Sequence, residues 1–182
     1  MASTFYGEIN EQAWAAAKKI KLLICDVDGV FSDGRIYMGN NGEELKTFHT
    51  RDGYGVKALL STGIDVAIIT GRKSEIVNNR MQALGIKHIY QGVDDKLVAY
   101  NDLMTQCQCT ADEVAYIGDD LIDWPVMEIC GLGVAVHDAH PLLKQNALYC
   151  THIKGGEGAV RELCDIILLA QGNFEQAKGL SI

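Results

Sequence analysis

Asp26 and Asp28 stand at the end of a short apolar run, Leu22–Cys25. They are two residues apart, so in extended chain both carboxylates face one side while Val27 faces the other. Gly29 follows and lets the backbone turn sharply. Carboxylates this close repel unless they are held apart, partly protonated or bridged by a cation, and hard oxygen donors suit magnesium. Further along stand Thr70, Lys96 and the run Gly118-Asp119-Asp120 with Asp123. Carboxylates hold a cation, while a hydroxyl and an ammonium hold phosphate oxygens. Each residue alone has an ordinary explanation: a helix start for Thr70, a surface lysine for Lys96, a capping acid for Asp119. Their succession along one chain points to a metal-and-phosphate centre.

Such a centre requires strands that end together. Buried strands are expected at Leu22–Asp26, Val66–Ile69, His88–Tyr90, Val114–Ile117, Leu132–Val136 and Leu148–Cys150. Between them the pattern predicts helices over Gly53–Ser61, over Ser74–Leu84 with Ser74 as N-cap and Gly85 as stop, and over Lys96–Thr105. Others are expected from Pro125 to Cys130, near Leu142, and over Ala159–Gln171. Arg35–Met38 and Glu44–Phe48 flank Gly39-Asn40-Asn41-Gly42, which signals a hairpin. This alternation implies an α/β fold: a doubly wound, mainly parallel, Rossmann-like sheet with a β-hairpin insert over 34–48. Ligands bind beyond the carboxyl ends of such strands, where every residue singled out above falls. A single domain over 1–182 is expected, with its core at about 21–171 and a flexible tail over 172–182. Met1–Ile20 reads as peripheral, with Trp14 packing rather than binding.

A chain of 182 residues fits one domain with a sizeable core. Its net charge of −8 argues against general nucleic-acid binding. The stretch from Arg51 to Lys96 carries seven basic residues against five acidic ones, a relatively basic middle suited to a small anion. Cys107 and Cys109 have no second pair beside them, so zinc is not expected, and the six cysteines read as free thiols. No secretory signal or membrane span is visible, and the expectation is a cytoplasmic protein with no membrane partner.

In Asp26-Val27-Asp28-Gly29, Thr70, Lys96, and Gly118-Asp119-Asp120 with Asp123, the chain resembles the haloacid-dehalogenase-type phosphohydrolases over about Lys21 to Gln171. The stretches 33–55, 69–74, 118–127 and 155–162 look closer still to the branch that acts on 3-deoxy-D-manno-octulosonate 8-phosphate. The resemblance implies a magnesium-dependent phosphatase working through an aspartyl-phosphate, in the making of the inner sugar of lipopolysaccharide. It implies Asp26 as nucleophile, Asp28 as general acid and base, and Thr70 and Lys96 on the phosphoryl oxygens. It implies magnesium held by Asp26, Asp119 and the backbone carbonyl of Asp28, with Asp120 and Asp123 one layer further out. By the same resemblance, His49, Thr50, Arg51, Asp52, Gly53, Lys57, Gly71, Arg72 and Arg80 join Asp28, Thr70 and Lys96 as substrate contacts.

Only 41 residues separate Asp28 from Thr70, and 25 separate Thr70 from Lys96, which leaves no room for a separate cap domain. Cover must then come from the hairpin, from a neighbouring subunit or from both, and the resemblance implies a homotetramer with hairpins at its centre. Gly155, Gly156 and Gly158 suit either a close pass over an adjoining site or a flexible approach to the last helix. Two alternatives stay open: a phosphatase of another sugar-acid phosphate, and a phosphoreceiver-like signalling domain. The second acid at Asp28 and the acids after the fourth strand argue against the receiver.

Overall fold

In the computed structural model, residues 1–180 are described. The chain opens with strands β1 (Ala2–Thr4) and β2 (Gly7–Ile9) and helix α1 (Glu11–Ala17). Strand β3 (Leu22–Cys25) leads to a hairpin of β4 (Tyr37–Met38) and β5 (Glu44–Leu45), then to helix α2 (Thr50–Ser61). Next come β6 (Asp65–Thr70), α3 (Glu75–Leu84), β7 (His88–Gln91) and α4 (Lys96–Cys107). Strand β8 (Val114–Gly118), helix α5 (Trp124–Met127), β9 (Leu132–Ala135), α6 (Pro141–Asn146), β10 (Tyr149–Cys150) and α7 (Ala159–Ala170) complete the fold.

Six strands form one parallel sheet in the order β10-β9-β8-β3-β6-β7. Strand β3 lies at its middle, because the chain builds outward first to β6 and β7 and then, on the other side, to β8, β9 and β10. Both faces are covered, so β3 can be apolar throughout: Leu22, Leu23, Ile24 and Cys25 are fully buried. Burying each such leucine or isoleucine contributes about 1.5–3 kcal/mol. Cys25 pairs with Ile68 of β6 and Ile117 of β8, so the three strands end at nearly one level. Asp26, Thr70 and Gly118 therefore emerge together at the rim.

The expected strands and helices are all present, with bounds shifted by a residue or a few. Helix α2 starts at Thr50 rather than Gly53, because the His49 side chain accepts the Arg51 N–H and caps it earlier. Helix α3 begins after Ser74 and ends at Gly85, whose φ of +88° suits glycine. Helix α5 is shorter than expected. It stops at Met127, and turn bonds carry the chain on to Cys130.

The N-terminal stretch corrects the expectation of a peripheral segment. Ile9, Ala13, Ala17 and Ile20 are buried in the main core, and β1 and β2 form a small hairpin of their own. The small alanines let α1 approach closely, and Trp14 packs as expected. After α7, Phe174 and Ala177 pack on the core, and the Lys178 N–H donates to Ser61 Oγ. Residues 181 and 182 of the expected tail lie outside the described residues.

Candidate active site

Strand β3 ends at Cys25, and the backbone then turns: the Val27 carbonyl accepts N–H bonds from Val30, Phe31 and Ser32. Gly29 sits in this turn at φ +86°, and a methyl there would lie 2.0 Å from Asp119 Oδ2. Val27 is buried, whereas Asp26 and Asp28 face one cavity. That cavity, ≈ 260 Å³, is lined by Asp26, Asp28, Gly34, Thr70, Gly71, Arg72, Asp119, Asp120 and Ile122. Six of these nine come from the sequence-predicted catalytic and substrate residues and Asp119; Asp120, Gly34 and Ile122 complete the wall.

Lys96, the first residue of α4, is buried beneath them. Its Nζ lies 3.1 Å from Asp26 Oδ1 and 2.7 Å from Asp123 Oδ1. Asp123 is fully committed: Oδ1 also accepts the Tyr116 hydroxyl at 2.6 Å, and Oδ2 accepts the Asp119 and Asp120 N–H groups. It therefore fixes both Lys96 and the loop that carries Asp119. One ammonium thus serves two buried carboxylates. Burial and the charge of Asp123 push Asp26 up to about 7, against the pull of Lys96. Burial opposes the charge on Lys96, but Asp26 and Asp123 outweigh it and hold the ammonium above its ordinary range. Burial and Asp26 raise Asp119 to about 8.

Three carboxylates offer oxygens within 4.8 Å of one another here: Asp26, Asp119 and Asp123. The Asp119 carboxylate receives no hydrogen bond from any described residue, and burial together with the neighbouring carboxylates drives two of the three acids toward protonation. Such a set of crowded, under-compensated oxygen donors fits a hard divalent cation. Asp26 and Asp119 have lone pairs to offer, while Asp123 has spent its own on protein donors.

The remaining carried-over residues do not line this cavity. His49 caps α2, Thr50 and Arg51 are exposed at its first turn, and Lys57 lies one turn further on. Gly53 lies against Arg80: a methyl there would meet the Arg80 guanidinium at 2.6 Å. Asp52 is buried, where its Oδ1 accepts the Arg161 N–H at 2.8 Å and so caps α7 from a different helix. Burial raises Asp52 to about 7, and its other oxygen has no hydrogen-bond partner among the described residues.

One feature went unread in the sequence, and a second was read otherwise. Lys46, just past β5, has an enclosed side chain, and its Nζ lies 2.6 Å from Asp28 Oδ1. A lysine on a hairpin ordinarily reads as solvated; the available signal was Glu44 and Lys46 at i and i+2, opposite charges on one face of a strand. The second is the glycine segment before α7. The Gly156 N–H donates to the Val30 carbonyl, and a methyl on Gly155 would lie 1.7 Å from the Gly29 oxygen. These glycines brace the loop after Asp28 within their own chain.

Residues 88–163 match the family described as haloacid dehalogenase-like hydrolase. Over 179 residues the chain is 62% identical to the 3-deoxy-D-manno-octulosonate 8-phosphate phosphatase of Yersinia pestis, covering 98% of this chain and 96% of that one. A crystal structure of the phosphatase so named from Yersinia pestis has a TM-score of 0.98 at 61% identity, covering 100% of this chain and 98% of that one. The corresponding protein of Moraxella catarrhalis, solved with magnesium, phosphate and KDO, has a TM-score of 0.88 at 44% identity, with 90% and 94% covered. At such identity over almost its whole length, the chain belongs to the haloacid dehalogenase-like hydrolases and, within them, to the branch of 3-deoxy-D-manno-octulosonate 8-phosphate phosphatases.

Proposed function

We propose that this protein is a magnesium-dependent phosphomonoesterase that converts 3-deoxy-D-manno-octulosonate 8-phosphate to the free sugar acid and inorganic phosphate. The observation that carries the reading is one rim bearing Asp26, Asp28, Thr70, Lys96 and Asp119, in a chain 62% identical to a phosphatase of that name. Asp26 is the nucleophile: its oxygen attacks phosphorus, and the bond from phosphorus to the sugar oxygen breaks with its electron pair left on that oxygen. Asp28 gives the sugar oxygen its proton. It then takes one from the water that attacks the aspartyl-phosphate, which frees Asp26 and inorganic phosphate. Thr70 and Lys96 hold phosphoryl oxygens as charge builds. Asp26, Asp119 and the Asp28 carbonyl would hold magnesium, which when bound offsets the charge between nucleophile and phosphate.

Release of inorganic phosphate from a panel of phosphosugars, with and without magnesium, tests this. The eight-carbon sugar-acid phosphate is expected to be the best substrate. Chelation is expected to stop turnover, and magnesium to restore it far better than calcium, whose looser coordination does not hold the same attack geometry. Turnover that survives thorough metal removal would refute the assignment.

A homotetramer with hairpins at its centre is part of this reading. Tyr37, Met38 and Leu45 expose apolar surface on a two-stranded hairpin, at 45%, 76% and 65%. Joining four such hairpins buries those side chains and sets each cavity at a subunit boundary. There His49–Arg51, Lys57 and Arg80 of a neighbour can meet the substrate carboxylate, while Asp52 and Gly53 shape the helix that presents them. Met38→Asp should leave the sheet folded and yield smaller species of low turnover by sedimentation and assay. A fully active monomer would show that each chain shields its own site. A cytoplasmic location completes the proposal, supported by six unpaired cysteines, which suit a reducing compartment.

A further inference from the structure

Asp28 is held from the hairpin side by a closed ring of alternating charge. Lys46 Nζ lies 2.6 Å from Asp28 Oδ1 and 3.7 Å from Glu44 Oε1. Arg72 Nη2 lies 3.1 Å from Glu44 Oε2, and Arg72 Nε lies 3.9 Å from Asp28 Oδ2. The four partners are not equal. Arg72 is half exposed, whereas the Lys46 side chain is fully enclosed. The Lys46 side chain has no room to swing into solvent, and its shortest contact is the one to Asp28, so that contact fixes both side chains. It occupies Oδ1. Oδ2 is left on the side of Arg72, which lines the cavity together with Asp28.

We propose that Lys46 is a positioning residue for the phosphatase reaction: by holding Asp28 Oδ1 it selects Oδ2 as the oxygen that exchanges the proton with the leaving sugar. The inference rests on the phosphatase reading above. In the step concerned, the bond from phosphorus to the sugar oxygen breaks, its electron pair stays on that oxygen, and the proton on Asp28 Oδ2 moves to it. The Asp26 oxygen forms the new bond to phosphorus, so Asp26 ends as an acyl phosphate and Asp28 as a carboxylate. A sugar alkoxide leaves only with that proton. A p-nitrophenolate leaves as a stable anion and does not need it.

The two leaving groups separate positioning from general structural damage. With the full-length protein and magnesium, kcat/KM, which covers steps through departure of the leaving group, is measured on the sugar-acid phosphate and on p-nitrophenyl phosphate. In Lys46→Met it is expected to fall on the order of 100-fold for the sugar ester and less than about 5-fold for the nitrophenyl ester, as for loss of an aligned general acid. Lys46→Gln is one atom too short to reach Asp28 but tolerates a polar slot, so it keeps the test open should the methionine variant not fold. It is expected to give the same pattern. Equal losses on both esters, or no loss on either, would overturn the proposal. Failure of the phosphatase reading itself would appear differently, as a wild-type protein that hydrolyses neither ester.

Discussion

Asp26→Asn is expected to lower the rate of phosphate release on the order of 10⁴-fold or more, the scale on which removing an enzymic nucleophile acts. The substitution keeps the size of the side chain. Its amide oxygen can still accept the Val27 N–H and face Lys96, so the loop after β3 should keep its shape. What disappears is an anionic oxygen able to form a bond to phosphorus. Steady-state phosphate release in saturating magnesium gives the rate, and a thermal melt close to that of the wild type shows that the loss is chemical. Ordinary turnover by a purified, folded Asp26→Asn protein would mean that no aspartyl-phosphate forms at this position.

Lys96→Met is expected to cost stability as well as activity. Methionine fills nearly the same space but carries no charge, so Asp26 and Asp123 would face each other in a site where Lys96 is now 2% exposed. Removing one partner of a buried ion pair typically destabilises by about 3–5 kcal/mol. For a chain of this size that lowers the melting temperature by roughly 10 °C. The same ammonium neutralises phosphoryl oxygens in the proposed reaction, so turnover should fall together with stability. Denaturant unfolding with magnesium held constant measures the first effect, and phosphate release by the folded fraction measures the second. An unchanged unfolding free energy would show that the two carboxylates have taken up the charge imbalance without Lys96.

The rim of the sheet was legible in the sequence because parallel strands buried on both faces read as apolar runs and their ends read as sudden polarity. Asp26, Asp28, Thr70 and Asp119 lie where that reading puts them, and Lys96 opens the helix assigned to it. Contacts across the chain were not legible. Lys46 reaches Asp28 from a hairpin eighteen residues away in sequence, and the local pairing of Glu44 with Lys46 does not say which distant acid encloses the lysine. Asp52 was carried over as a substrate contact, but the structure buries it at the start of α7, a tertiary relation that no spacing encodes. The N-terminal alanines read as peripheral because small side chains give weak periodicity, yet smallness is what lets α1 settle into the core.

The brace formed by Gly155 and Gly156 has a consequence for the order in which the protein is made. Synthesis delivers Asp26 early, followed by β6 and β8 on either side of it, so the nucleophile is in place long before the chain is finished. Yet the loop that follows Asp28 closes against Gly155 and Gly156, and helix α7 is pinned through Asp52 only when Arg161 arrives. A nascent chain on the ribosome therefore carries every acid of the centre while lacking the support that aligns them. The phosphatase should switch on only once residues 155–161 have emerged, and truncated chains that stop before residue 155 should be inert even where their sheet has formed.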